Sequence, residues 1–264
     1  MNLVALLLTL LVGLFILVGS FIGLNYKNNK KFTDFSISIA FGVIISLILF
    51  EILPETYEIL NDEIGVTRAI FVIIILILIG ITLLKLLDLF VPHHEHDAHH
   101  KHIHSTDKCH NEHLSHIGIM SAIGVIAHNL IEGMSLYLVS STSLLSGILL
   151  CIGIGLHNIP MGLVISSTLT TSNYTKEKIL KLSLIVSLST FVGGLLMFII
   201  GGVSKLAEGI FLGLTLGMLI YISIFELLHQ IYHMKNKKLA ITGIVMGIVL
   251  LLISILLGHS VHIH

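Results

Sequence analysis

The sequence predicts an all-α integral membrane protein of eight transmembrane helices, and three observations predict it. Hydrophobic residues make up 55% of the 264 and charged residues 11%, with a mean hydropathy of +1.02, well outside the range of soluble globular domains. Apolar runs of about 20 residues, the length that crosses roughly 30 Å of hydrocarbon, recur eight times along the chain. Lysines then collect in every second connection, as a regularly alternating multi-pass topology requires.

The first run, residues 3–24, is not read as a secretory signal, because no basic residue precedes it and its apolar stretch is long. Lys27, Lys30 and Lys31 follow at once, which puts that connection in the cytoplasm and the N-terminus outside. The second run, 35–60, carries Glu51 and Glu55 toward its outer end, and the third spans 67–91. Lys101 and Lys108 precede the fourth run, 118–140, and the fifth is 145–170. Lys176, Lys178 and Lys181 lie between the fifth run and the sixth, 179–203, while Lys235, Lys237 and Lys238 lie between the seventh, 206–233, and the eighth, 239–258. All of these fall on the same side, so the count of eight and an N-out, C-out orientation support each other. A seven-helix count breaks the alternation.

The chain reads as one transmembrane domain over 1–264, interrupted by a polar segment at 92–117. That segment holds His93, His94, His96, His99, His100, His102, His104, His110, His113 and His116, interleaved with Glu95, Asp97, Asp107 and Glu112. It is a metal-binding composition too poor in apolar residues to offset ordering entropy, and it is expected to form a cytoplasmic loop that is disordered without metal. Cys109 and Cys151 are expected to stay unpaired.

A likeness links the second and seventh runs, Gly42 to Glu55 and Gly217 to Gln230, each with Phe-Glu at the same place (Phe50-Glu51 and Phe225-Glu226). The orientation makes these two segments run in opposite directions, the pattern of inverted repeats built around a midplane site in many secondary transporters.

The chemistry concentrates in two other runs. His128-Asn129-Leu130-Ile131-Glu132-Gly133 and His157-Asn158-Ile159-Pro160-Met161-Gly162 share the pattern His-Asn-x-x-x-Gly inside apolar segments, where an uncompensated polar group is expensive. One histidine in a membrane helix is ordinarily an interhelical hydrogen-bond partner. Two copies of one pattern, one of them with a carboxylate, point instead to a shared ion. His128 with Glu132, and His157 with Met161, stand four residues apart and so on one helical face. Imidazole and carboxylate suit Zn²⁺ or Fe²⁺, and a thioether disfavors Mg²⁺ and Ca²⁺. Asn129 and Asn158 either reach the ion through their amide oxygens or bridge helices, and Gly133 and Gly162 allow close helix approach. Pro160 deprives the Leu156 carbonyl of its intrahelical donor.

Taken together, these features resemble the Zrt/Irt-like (ZIP) family of divalent-metal transporters, and Leu53-Pro54-Glu55 matches a further family pattern. The resemblance covers essentially the whole chain. It implies carriage of zinc, or iron, into the cytoplasm as substrate, with no catalytic cofactor. It also implies a homodimer in the lipid of the plasma membrane and an elevator-like motion of helices 1, 4, 5 and 6 against the others. Its primary site falls on His128, Glu132, His157 and the position held by Met161, where many members carry a bridging glutamate; a further family glutamate is replaced by Thr190. A single ion is therefore expected. No enzymatic activity and no nucleic-acid partner are expected. The alternative weighed is an intramembrane metal-dependent hydrolase, which needs an open water position and a general base; the chain has no His-Glu-x-x-His and no additional acid near the two motifs.

Overall fold

The computed structural model describes residues 2–26, 29–88 and 106–259. Its described residues are almost wholly helical: α1 (Asn2–Asn25), α2 (Lys30–Ile64), α3 (Val66–Asp88), α4 (Thr106–Thr142), α5 (Leu144–Thr171), α6 (Lys176–Ile200), α7 (Lys205–His233) and α8 (Lys237–His259). All eight are long and apolar enough to cross a bilayer, in agreement with the sequence reading.

Among the described residues, four helix starts are capped by the residue that precedes them. Side chains of Asn29, Ser143, Thr175 and Ser204 accept from backbone N–H groups three residues on, meeting donors that a helix start leaves orphaned. Gly201, at φ 78°, closes α6 in the left-handed conformation that glycine adopts without steric cost.

Two boundaries differ from expectation. Lys30 and Lys31, expected in a loop, form the first turn of α2, whose start Asn29 caps. In addition, α4 begins at Thr106 rather than near 118. The physical reason is burial: Leu114 and Ile117 are 1% and 0% exposed, and Gly118 packs on Thr168 and Leu169 of α5, so tertiary packing carries the helix back beyond its apolar run. The histidines from His93 to His104 lie outside the described residues, as do the side chains of Cys109, His110 and His113.

Neither α2 nor α7 is α-helical throughout. Ile48–Ile52 and Ile222–Leu228 adopt the wider π-helical turn, and each contains the acid of its Phe-Glu pair, Glu51 and Glu226. Single π turns of this kind are frequent at functional positions. The first half of α2 contacts the end of α7, and the last half of α2 contacts the start of α7, so the two helices run antiparallel.

Glycines divide the eight helices into two sets. A Cβ on Gly133 would lie 1.9 Å from the Thr190 carbonyl oxygen, one on Gly193 2.0 Å from that of Leu130, one on Gly162 2.0 Å from that of Ile16, and one on Gly19 2.0 Å from that of Ile159. These contacts lock α4 to α6 and α5 to α1. In the same way Gly42 meets Ile244 and Gly247 meets Ile39, joining α2 to α8, while Gly80 meets Leu214 and Gly217 meets Ile77, joining α3 to α7. Small residues permit such backbone contact, which supplies dispersion and weak polar attraction where no hydrophobic driving force exists between helices. The named contacts all fall within α1, α4, α5 and α6 or within α2, α3, α7 and α8. Gly124 of α4 does face the other set, and what it meets there is the tip of the Ile222 side chain.

Candidate metal centre

Ser143 is the only residue between α4 and α5, and its extended backbone (φ −141°, ψ 115°) reverses the chain into an antiparallel hairpin. His128 precedes this turn by fifteen residues and His157 follows it by fourteen, so the hairpin brings them to one height. Each stands near the centre of its span, Leu114–Thr142 and Leu144–Thr171. Burial follows: His128, Glu132 and His157 are 5%, 8% and 1% exposed.

Glu132 reaches across from the turn after His128. Its Oε1 lies 2.8 Å from His157 Nε2 and 2.9 Å from His128 Nε2, and the ligand atoms of the three residues sit within 4.8 Å of one another. The contact to His157 is a hydrogen bond; the one to His128 is a close ion-pair contact, and both nitrogens of that ring are buried without a hydrogen-bond partner. Glu132 Oε2 is likewise buried and unpartnered. Two imidazoles and a carboxylate converging in a low-dielectric interior demand positive charge between them, from protons or from a cation. This is the one group of three or more His, Cys, Asp or Glu among the described residues with such convergence.

The other residues expected at the site take different places. Met161 is 1% exposed, one turn beyond His157, and belongs to the continuous apolar core. The Asn129 amide nitrogen donates to the Val186 carbonyl of α6 at 3.1 Å, so this residue bridges helices while its Oδ1 has no partner. Asn158 is fully buried with neither amide atom hydrogen-bonded, and Thr190 Oγ1 is also buried and unpartnered. Pro160 is buried within α5, which continues α-helical through it.

Sequence reasoning missed the groups behind the triad. Ser254 of α8 lies 3.3 Å from His157 Nδ1 and donates to the Gly153 carbonyl at 2.5 Å. Its signal was there, a single polar residue in the apolar run 250–257. His116, assigned to the loop, is in α4 with its Nδ1 3.2 Å from Glu226 Oε2 in the π turn of α7.

Comparison with known proteins agrees with this chemistry. The family model described as "ZIP Zinc transporter" matches residues 91–255. The chain is 30% identical to the zinc transporter ZupT of Chlorobium chlorochromatii (strain CaD3), covering 95% of this chain and 96% of that protein. It is 29% identical to the ZupT of Chlorobaculum parvum (strain DSM 263 / NCIMB 8327), over 95% of this chain and 96% of that one. With the ZupT of Clostridium perfringens (strain 13 / Type A) it shares 28% identity over 97% of this chain and 96% of the relative.

Proposed function

The chain belongs to the ZIP zinc transporter family, and from that premise we propose that it carries zinc into the cytoplasm through His128, Glu132 and His157. Membership and the eight apolar helices make it a multi-pass membrane protein of metal-ion transport, which in bacteria means the plasma membrane. The observation that carries the finer reading is the convergence of three buried donors from two antiparallel helices at mid-span. Two imidazole nitrogens and a carboxylate are the donor set of many three-ligand zinc sites, and Fe²⁺ is the nearest competitor for it. Met161 is the fourth donor in this reading, and Asn129 and Asn158 line the site as neutral oxygens. With neutral Asn129, Asn158 and Thr190 in place of further acids, one ion is held at a time.

Movement is an elevator-like slide of α1, α4, α5 and α6 against α2, α3, α7 and α8. The glycine contacts support it, because backbone locked to backbone within each set keeps that set rigid, while across the boundary the one named glycine, Gly124, meets only the tip of a side chain. Inverted repeats follow from the same features: α2 and α7 run antiparallel, each breaks into a π turn around its acid, and the α2–α8 and α3–α7 glycine contacts match. The basic connections set the orientation as N-out and C-out, and the histidines of 92–117 then lie on the receiving side as a cytoplasmic buffer. The whole chain works as one transport unit, in a homodimer, surrounded by lipid.

The test is zinc flux into sealed vesicles containing the purified protein and an enclosed zinc indicator. Accumulation above that of empty vesicles, lost on His157→Ala, is the expected result. Vesicles with verified, folded protein and no flux would overturn the transport reading, and are what a hydrolase would give.

A further inference from the structure

One ligand of the proposed site is held from the opposite set of helices. Ser254 lies in α8 and is 4% exposed, while His157 and Gly153 lie one turn apart in α5. A hydroxyl carries one proton, and that of Ser254 is donated to the Gly153 carbonyl at 2.5 Å. Toward His157 Nδ1, 3.3 Å away, the same oxygen can therefore only accept. The Nδ1–H of His157 donates to Ser254, which directs the Nε2 lone pair to a bound ion; without the ion, the 2.8 Å hydrogen bond between Nε2 and Glu132 Oε1 needs a proton between those two atoms, whose place the ion takes. His128 has no counterpart, since its Nδ1 is buried without a partner. The two imidazoles are thus inequivalent: one is oriented from across the boundary between the helix sets, the other is not.

We propose that Ser254 is a positioning residue, fixing His157 in the metal-binding tautomer from the opposite helix set, so that tight holding of zinc depends on the register between α5 and α8. The proposal rests on the transport reading above. Sliding by one helical turn, about 5.4 Å, takes Ser254 out of reach of both the ring and the Gly153 carbonyl. His157 then loses its outer partner in the other register, so affinity for the ion differs between the two states. Held by Ser254 in one register and free of it in the other, the ring couples ion affinity to the slide without a second ligand set.

The test compares zinc uptake by wild type, Ser254→Ala, Ser254→Thr and Thr33→Ala in vesicles, with rates normalised to protein present so that lowered abundance does not enter the maximal rate. Loss of an outer partner commonly weakens metal affinity by about 10- to 100-fold, so Ser254→Ala is expected to raise the KM for zinc about tenfold or more without lowering the maximal rate. Ser254→Thr keeps the hydroxyl and should return KM to within about threefold of wild type, on the same outer-partner argument. Thr33→Ala removes a different bond between the sets, the 2.8 Å contact of Thr33 Oγ1 with Thr171 Oγ1, and should leave KM unchanged. An unaltered KM in Ser254→Ala, equal impairment in Ser254→Thr, or an equal rise in Thr33→Ala would overturn the proposal. His157→Ala in the same vesicles separates the two claims: loss of uptake there keeps the transport reading when Ser254 fails, whereas wild-type uptake removes the reading itself.

Discussion

Glu132→Gln tests the charge at the centre of the site while preserving its shape. Glu132 Oε1 is the atom both imidazoles share, at 2.8 and 2.9 Å, and the residue is 8% exposed, so water does little to replace it. Removing one partner of a buried ionic group costs about 3–5 kcal/mol. At about 1.4 kcal/mol per tenfold, that corresponds to a loss of roughly 100- to 4,000-fold in affinity for the cation. The amide can still accept through its oxygen, which favours the lower end of this range. Initial rates of zinc entry into vesicles, measured over at least four decades of zinc concentration and normalised to protein present, read the effect as a rise in KM. A KM within about threefold of wild type would be worth less than about 0.7 kcal/mol and would refute the claim that this carboxylate balances the ion's charge.

Met161→Glu should retain uptake and raise the zinc bound per protomer, by placing a second carboxylate one turn from His157; equilibrium binding on purified protein checks the stoichiometry. Deleting residues 93–105 should leave most of the transport rate and alter the response to high external zinc, since the described pairing of His116 with Glu226 and the burial of Leu114 stay outside the deletion. Acidification should lower uptake, because a ligating imidazole must be unprotonated, and a rate–pH series at fixed zinc measures it. Gly133→Ala should sharply reduce the amount of folded protein, as its Cβ would meet a fixed carbonyl at 1.9 Å, whereas Gly124→Ala meets only the movable tip of Ile222 and should accumulate normally; thermal stability in detergent compares the two.

Much of the fold was legible because membrane helices announce themselves by length and hydropathy. The triad was legible for a related reason: an acid and two histidines in apolar runs are too expensive to be incidental. What escaped is what depends on tertiary contact. The backward extension of α4 to Thr106 runs through a polar, histidine-rich stretch whose composition speaks for a loop, and the packing of Leu114, Ile117 and Gly118 against the other helices is a tertiary contact that composition does not reveal. The π turns at Ile48–Ile52 and Ile222–Leu228 leave no compositional mark beyond the repeated Phe-Glu. Ser254 was visible as a lone polar residue, but its partner in α5 is 97 residues away in sequence and no periodicity reveals it.

The most direct test of the central claim is to locate zinc by anomalous scattering in crystals of the zinc-loaded protein. The expected result is one peak among His128 Nε2, His157 Nε2 and the Glu132 carboxylate, at the roughly 2.0–2.2 Å typical of zinc bonded to nitrogen and oxygen. Strong zinc peaks elsewhere in the membrane span, with none at these three side chains, would contradict it.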